Sequence, residues 1–375
     1  MKILHIITGL GPGGAESMLK RLILSDPSTL SDKIVVSLTA LEVIGKELCA
    51  QGVEVHAMEM SSVLGFPGKF FQLCKLIKQS KPDIIQTWMY HADLLGGLAA
   101  RLSGFKNIIW GIRIQSVPAN NPKTALVVKI SALLSRWIPK KILCVAESAR
   151  EEHIKYGYDA ERMVVVHNGF DFSHFTVSQA QKSVLREECG FSSEDFVVGW
   201  LGRFHSEKGQ ENFIKAAKIV SVKYPKTKFL LIGRRCNAEN ATLMGWLTDV
   251  GLQDQFVLLG ERRDAPVCLA IMDLFCMPSS NEGFPNALGE AMASGLPCVA
   301  TEVGDAAVLA SDTVIMVPPE NEQALAEGML KIMALSREQR LQMGEHSKAW
   351  VMSEFSIDTS RQRFEAVYLA MLADC

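Results

Sequence analysis

The sequence predicts an α/β protein built from two doubly wound, parallel-sheet domains. Three observations carry this. The chain has 375 residues, more than one ordinary hydrophobic core holds and suited to about two domains. Short β-branched runs alternate with longer segments of helical period from the first residue to beyond residue 300, the pattern of parallel strands joined by crossover helices. These runs fall into two sets of six, separated by a polar interval.

In the first set the predicted strands are 2–7, 33–38, 53–58, 83–87, 107–112 and 141–145. In the second they are 196–201, 227–232, 255–259, 273–277, 298–301 and 313–317. The seam lies within Asn168–Ser193, where Asn168-Gly169 signals a turn and a polar helix leads into Phe196. The chain therefore divides into an N-terminal domain over 1–172, a C-terminal domain over 173–356 and a terminal segment over 357–375. That segment's helix, about 357–373, suits either domain on its residues and is expected to pack back on the N-terminal one. Ligands of open α/β sheets sit beyond the carboxyl ends of the strands, so two such sheets facing one another would hold a substrate in the cleft between them.

Composition narrows the function. With 48% hydrophobic and 21% charged residues the chain packs rather than remaining disordered. A net charge of −2, from 39 Lys+Arg and 41 Asp+Glu, excludes a basic nucleic-acid binder. The balance is uneven along the chain: residues 1–170 carry 20 basic and 14 acidic side chains, and the remainder 19 and 27. Nine cysteines, never spaced C-x-x-C, argue against a disulfide framework or a zinc ribbon and for reduced thiols in a cytoplasmic protein. No apolar run is long enough for a secretory signal or a membrane span, so a membrane would be met from its surface.

Three strand-to-helix turns carry the chemistry. The first, Gly9-Leu10-Gly11-Pro12-Gly13-Gly14-Ala15-Glu16, satisfies G-x-G-x-x-G. A dinucleotide site also needs an acidic residue closing the second strand, and that strand ends in Thr39-Ala40 with Glu42 already in the next helix. The NAD reading fails on this context. Close approach of a phosphate to the helix N-terminus survives, beside a tight turn with no ligand.

The second, Leu201-Gly202-Arg203-Phe204-His205-Ser206-Glu207-Lys208-Gly209, puts Arg203 and Lys208 on a short loop at a strand's carboxyl end, placed to clamp two phosphates. Further on, Ser279-Ser280-Asn281-Glu282-Gly283-Phe284-Pro285-Asn286-Ala287-Leu288-Gly289-Glu290 leads into a helix expected over 285–294, with Pro285 in its first turn and Gly295 past its end. Glu282 precedes this helix and Glu290 lies on it among small residues. Vicinal sugar hydroxyls would be suitable partners for such carboxylates, which are costly to bury alone.

The E-x7-E spacing of Glu282 and Glu290, inside EGFPNALGEAMASGLPCVA, together with GRFHSEKG and the N-terminal GLGPGGAE, closely resembles the family-4 retaining glycosyltransferases of the GT-B fold. The resemblance runs over essentially the whole chain. Gln86–Asp93 and Trp110–Arg113 look more specifically like bacterial enzymes of surface-polysaccharide assembly. The resemblance implies that Arg203 and Lys208 hold the donor diphosphate, that Asn286 and Ala287 offer backbone N–H groups to the distal phosphate, and that Glu282 binds the transferred sugar. It further implies that Glu290 takes the ribose hydroxyls, the backbone near Arg262 meets the base, Gly13 and Gly14 let the N-terminal loop approach the phosphates, and His91 lies near the sugar's 6-position. Retention would proceed by front-face attack without a covalent nucleophile. The nucleotide-diphosphate sugar, a UDP-sugar, is the co-substrate, and no other cofactor is implied. With no D-x-D motif, Arg203 and Lys208 supply the positive charge and transfer is expected to be metal-independent. One departure stands out: Gly233 is followed by Arg234-Arg235 where many relatives have Gly-x-Gly, which leaves the donor's identity open.

The acceptor domain is, by the same resemblance, the basic half. Residues 124–137 with Pro139-Lys140-Lys141, and residues 69–81, read either as basic amphipathic helices on an anionic leaflet or as core-facing helices with solvated lysines. The expected acceptor is a glycan, linked to polyprenyl diphosphate and presented at the inner face of the plasma membrane. The competing classes are a GT-B sugar-nucleotide epimerase and a non-catalytic nucleotide-sugar binder.

Overall fold

The structure, a computed structural model, describes residues 1–60, 65–115 and 121–373. It separates into two compact units, one formed by Met1–Gly169 with Ile357–Cys375 and the other by Phe170–Ser356.

The first unit is a seven-stranded sheet of β1 (Ile3–Ile7), β2 (Lys33–Ser37), β3 (Glu54–Ala57), β4 (Ile84–Trp88), β5 (Ile108–Ile112), β6 (Lys141–Cys144) and β7 (Met163–Val165). Its order is β3-β2-β1-β4-β5-β6-β7, every pairing parallel. Six strands were expected here; the seventh, β7, is a three-residue edge strand in the Met163–Val166 run that leads into the seam, too short to show alternation. The connecting helices are α1 (Gly14–Leu24), α2 (Glu42–Ala50), α3 (Phe66–Ser80), α4 (Tyr90–Leu102), α5 (Pro122–Leu134) and α6 (Glu147–Lys155). The central strands are buried on both faces along their whole length, which is why they read as unbroken apolar runs.

Helices α3 to α6 cover one face, where Leu73, Ile77, Tyr90, Ala99, Val128 and Ala132 meet Ile6, Ile85 and Trp110. Helices α1 and α2 cover the other, through Met18, Leu22 and Leu48.

The second unit is a six-stranded sheet of β8 (Val197–Leu201), β9 (Lys228–Ile232), β10 (Phe256–Gly260), β11 (Leu274–Met277), β12 (Cys298–Thr301) and β13 (Ile315–Val317), in the order β10-β9-β8-β11-β12-β13 and again all parallel. Its helices are α7 (Gln179–Glu188), α8 (Gln210–Lys223), α9 (Ala241–Val250), α10 (Ala265–Ala270), α11 (Asn286–Ala293), α12 (Ala306–Leu309), α13 (Glu322–Met333) and α14 (Arg337–Glu354). Phe170 N–H donates to the Phe355 carbonyl at 2.8 Å, so the two ends of this unit are tied together.

A last helix, α15 (Ile357–Ala373), returns the chain to the first unit. It lies on the face of α1 and α2, burying Phe364, Tyr368 and Met371. The Phe364 ring stacks on Trp88 with centroids 6.0 Å apart. Tyr368 hydroxyl donates to Gln86 Oε1, and Ser360 Oγ donates to the His167 carbonyl at 2.9 Å. Beneath it His5, fully enclosed and held neutral with its pKa driven down to about 3 by burial, accepts from Trp88 Nε1 at 3.3 Å.

Eight cysteines are free thiols, five of them buried, and Cys375 lies outside the described residues. Among the described residues no helix is long and apolar enough to cross a membrane.

Phe364 is fully buried, and truncation would leave a cavity against Trp88. Phe364→Ala should cost about 3–5 kcal/mol, read from the denaturant midpoint of the first unit's unfolding; a loss within the noise of surface substitutions would show that α15 is not part of this core.

Candidate active site

A parallel sheet sends every strand-to-helix loop to one edge, and in the second unit that edge gathers four of the candidate residues. Arg203 follows β8 and is exposed, its guanidinium without an ion pair among the described residues. Lys208 closes a one-turn 3-10 helix, Ser206–Lys208. Glu282 follows β11, and Glu290 sits half-buried on α11.

Lys208 and Glu282 are brought together. Lys208 Nζ lies 2.6 Å from Glu282 Oε1, and Ser279 Oγ donates to the same oxygen at 2.7 Å. Oε2 accepts from no described side chain. The pair is largely enclosed, with 26% of the Lys208 and 13% of the Glu282 side chain exposed. The carboxylate is thus compensated on one oxygen and open on the other, the state suited to accepting from a hydroxyl.

Backbone packing fixes this geometry. Gly209 has φ +66°, and a Cβ there would stand 2.0 Å from the Pro278 carbonyl oxygen, so the β8 loop lies directly on the loop after β11. From the other side Gly304, φ +53°, lies against the Glu282 carbonyl, where a Cβ would come within 1.8 Å. Asp305 N–H donates to the Gly283 carbonyl at 2.9 Å, and Ser280 N–H to that of Glu207 at 2.9 Å. Asn281 Nδ2 donates to Glu207 Oε1 at 3.1 Å. Phe284 is buried against Phe170 and Phe355, centroids 6.2 and 5.4 Å away. This anchor keeps Pro285 extended (φ −79°, ψ 91°), so Pro285 is the N-cap of α11 and not, as expected, part of its first turn. Asn286 and Ala287 open the helix, and proline brings no capping side chain to its amides.

Arg262, after β10, is held in a fork by Asp264 at 2.8 and 2.7 Å and by Glu188 at 3.1 Å. These carboxylate bonds raise its pKa well above the usual value, leaving the backbone there as the part free to meet a ligand. Arg234 and Arg235 are exposed and, with Asn237, Asn240 and Glu261, line a hollow of about 600 Å³ beyond β9 and β10. Arg235 adopts φ +64° and lies 5.7 Å over the Phe204 ring.

In the first unit, Gly13 caps α1 and Gly14 begins it. Glu16 Oε2 lies 2.2 Å from where a Gly13 Cβ would stand, so a side chain at that position would collide with this carboxylate. Burial raises the Glu16 pKa, with Glu42 adding to it. His91 is the second residue of α4, half-buried, and burial lowers its pKa. The same turn of α4 carries Asp93, which motif reading passed over: Asp93 Oδ1 accepts from Thr87 Oγ1 at 2.5 Å and from Gly111 N–H at 3.0 Å, tying the first turn of α4 to β4 and β5. Ser279 and Glu207 were also missed. Their signal was adjacency to Glu282 and Lys208, but which hydroxyl reaches a carboxylate is decided by loop packing.

Residues 181–350 match the family described as glycosyl transferases group 1, and residues 39–174 match Glycosyltransferase Family 4. The chain belongs to the group 1 and family 4 glycosyltransferases. Among similar curated proteins, this glycosyltransferase is 30% identical over 237 residues to the Escherichia coli UDP-Gal:alpha-D-GlcNAc-diphosphoundecaprenol alpha-1,3-galactosyltransferase, a match over 62% of this chain and 60% of that one. It is 25% identical to the Staphylococcus aureus capsular polysaccharide biosynthesis glycosyltransferase CapM, over 88% of this chain and 89% of that one. The chain thus spans under two thirds of the first relative and nearly all of the second. The crystal structure of Anabaena Alr3699/HepE in complex with UDP matches with a TM-score of 0.86 at 21% identity, covering 99% of this chain and 100% of that one. The fold of this glycosyltransferase is GT-B, as its motifs implied.

Burial pushes the Asp93 carboxyl up to about 8, against about 4 in an unfolded chain. Between those values the folded state holds a proton that the unfolded state has lost, so this group's contribution to stability falls as pH rises from about 4 to about 8. His5, lowered to about 3, acts with the opposite sign below about pH 6.5 and is common to both proteins. Asp93→Asn should therefore give a Tm that declines less than wild type's between these limits; parallel Tm–pH curves would contradict the assignment.

Proposed function

We propose that the enzyme transfers a sugar, with retention and without a metal, from a UDP-sugar to a polyprenyl-diphosphate-linked glycan in surface-polysaccharide assembly. The observation that carries this reading is the Lys208–Glu282–Ser279 arrangement at the carboxyl edge of the second unit's sheet, inside the group 1 match. A donor and an acceptor of these kinds are named for the E. coli relative, and UDP and UDP-glucose for the HepE complexes.

In this reading Arg203 and Lys208 meet the diphosphate, with the Asn286 and Ala287 amides at the α11 dipole. The open Glu282 oxygen accepts from the sugar's hydroxyls, Glu290 from the ribose, and the backbone at Arg262 contacts the base. Gly13, Gly14 and His91 belong to the first unit, and their assignment rests on the motif resemblance. As the bond from the anomeric carbon to the diphosphate breaks, negative charge grows on the leaving oxygen, and the two cations stabilise it. The acceptor oxygen bonds to the anomeric carbon on the same face, and its proton passes to the departing phosphate, releasing UDP.

The test is a panel of nucleotide sugars with a synthetic polyprenyl-diphosphate-GlcNAc acceptor. The product's anomeric configuration is read by NMR, and the reaction is repeated with EDTA. A retained α-linkage, insensitive to EDTA, is expected, and Lys208→Ala should lower kcat by about 10²–10³-fold. Release of UDP with a C2 epimer and no acceptor product would replace the reading with an epimerase; binding without turnover on every pair would make the protein a nucleotide-sugar binder.

A further inference from the structure

Helices α3, α4 and α5 lie side by side, α4 between the other two, and one face of each builds the core. Their other face adds exposed apolar side chains to the solvated charges that such helices usually present. On α5 and the turn beyond it, Leu126, Ile130, Leu133 and Trp137 recur at spacings of four, three and four residues, one stripe on a helix. This stripe is exposed, by 59%, 36%, 66% and 67%. The same helix buries Val128 and Ala132 on its opposite side, so it carries apolar side chains on both its covered and its uncovered side. The segment therefore faces the core, as one of its two readings has it, and presents a second apolar face besides. Phe71 on α3 and Leu102 at the end of α4 are 72% and 70% exposed.

The charge on this face is of one sign. Over residues 66–81, 94–107 and 121–141 there are eleven lysines and arginines and no aspartate or glutamate. Much of the excess positive charge of the first 170 residues resides here. Beside Phe71 a shallow hollow of about 470 Å³ is rimmed by Lys75, Lys78 and Lys81. Arg136, exposed like Trp137, directly precedes it, an aromatic with a basic residue next to it, as at a membrane interface.

Contiguous exposed apolar surface marks an interaction site. A partner that covers aliphatic and aromatic side chains while meeting only cations, with no carboxylate to complement, has an apolar interior and an anionic surface. We propose that the outer face of α3, α4 and α5 docks on an anionic lipid bilayer, with Leu126, Ile130, Leu133 and Trp137 entering the acyl boundary and the lysines meeting headgroup phosphates. The proposal deepens the reading of a lipid-linked acceptor and rests on it for its purpose, but vesicle binding is measured without donor or acceptor, so that either can fail alone.

The full chain is sedimented with phosphatidylcholine vesicles with and without about one third phosphatidylglycerol, and its tryptophan fluorescence is followed with brominated acyl chains. Binding to the anionic vesicles, weakening at high salt, is expected, with quenching that Trp137→Phe largely removes. The combined Leu126→Ser, Ile130→Ser, Leu133→Ser variant should lose about tenfold or more in partitioning while keeping its circular dichroism and Tm, since none of the three is a core residue. A second variant, Lys75→Glu with Lys78→Glu, should lose anionic-vesicle binding with the stripe intact. Absence of wild-type binding, equal binding by the triple variant, or a concentration-dependent dimer that the triple variant abolishes would each overturn the proposal.

Discussion

The candidate site depends on one packing constraint: the loop after β11 is clamped between two neighbouring loops with no room for a Cβ on either side. Gly209 presses on Pro278 and Gly304 on Glu282, each through backbone oxygen and each at positive φ. A side chain at either position would separate the loops, and the separation would fall on the Lys208–Glu282 contact. Long flexible side chains usually lose entropy when they form an ion pair; here the backbone has been fixed before the side chains meet. The arrangement is preorganised by close approach of main chain rather than by the ion pair itself.

The first unit answers a different demand. It contains both ends of the chain, and α15 closes its second face. Polar groups are buried there in number, including His5, Gln86 and Arg113, and aromatic stacking supports them: the Arg113 guanidinium lies 5.1 Å over Trp88 and 5.9 Å from the centre of Phe364. The opposite face, under α3 to α5, packs Tyr90 and Trp110 among aliphatic side chains, and its outer surface carries the cations. The uneven charge along the chain therefore belongs to a definite place, a group of three adjacent helices.

Much of this was legible in the sequence because burial on both faces makes a parallel strand an uninterrupted apolar run. Twelve of the strands announced themselves that way, and E-x7-E with its glycine and proline punctuation located α11 to within a residue at each end. What escaped follows from interactions that a linear pattern does not encode. β7 has three residues and an edge position, so it lacks a period to detect. The convergence of Ser279 and Lys208 on one oxygen of Glu282 joins residues 74 apart, and Asp93 reads as a helix-face carboxylate until its bonds to Thr87 and Gly111 are seen. For α5 the period was visible, but a helix with apolar side chains on both sides does not say which side is covered.

The central claim is that Glu282 recognises the sugar while Arg203 and Lys208 recognise the diphosphate. Isothermal titration calorimetry of UDP and of the cognate UDP-sugar, on wild type and on Glu282→Gln, separates these roles. The account predicts that UDP affinity is nearly unchanged by the substitution and that the additional affinity for the UDP-sugar is lost. Equal weakening of both ligands, or an intact preference for the UDP-sugar, would contradict it.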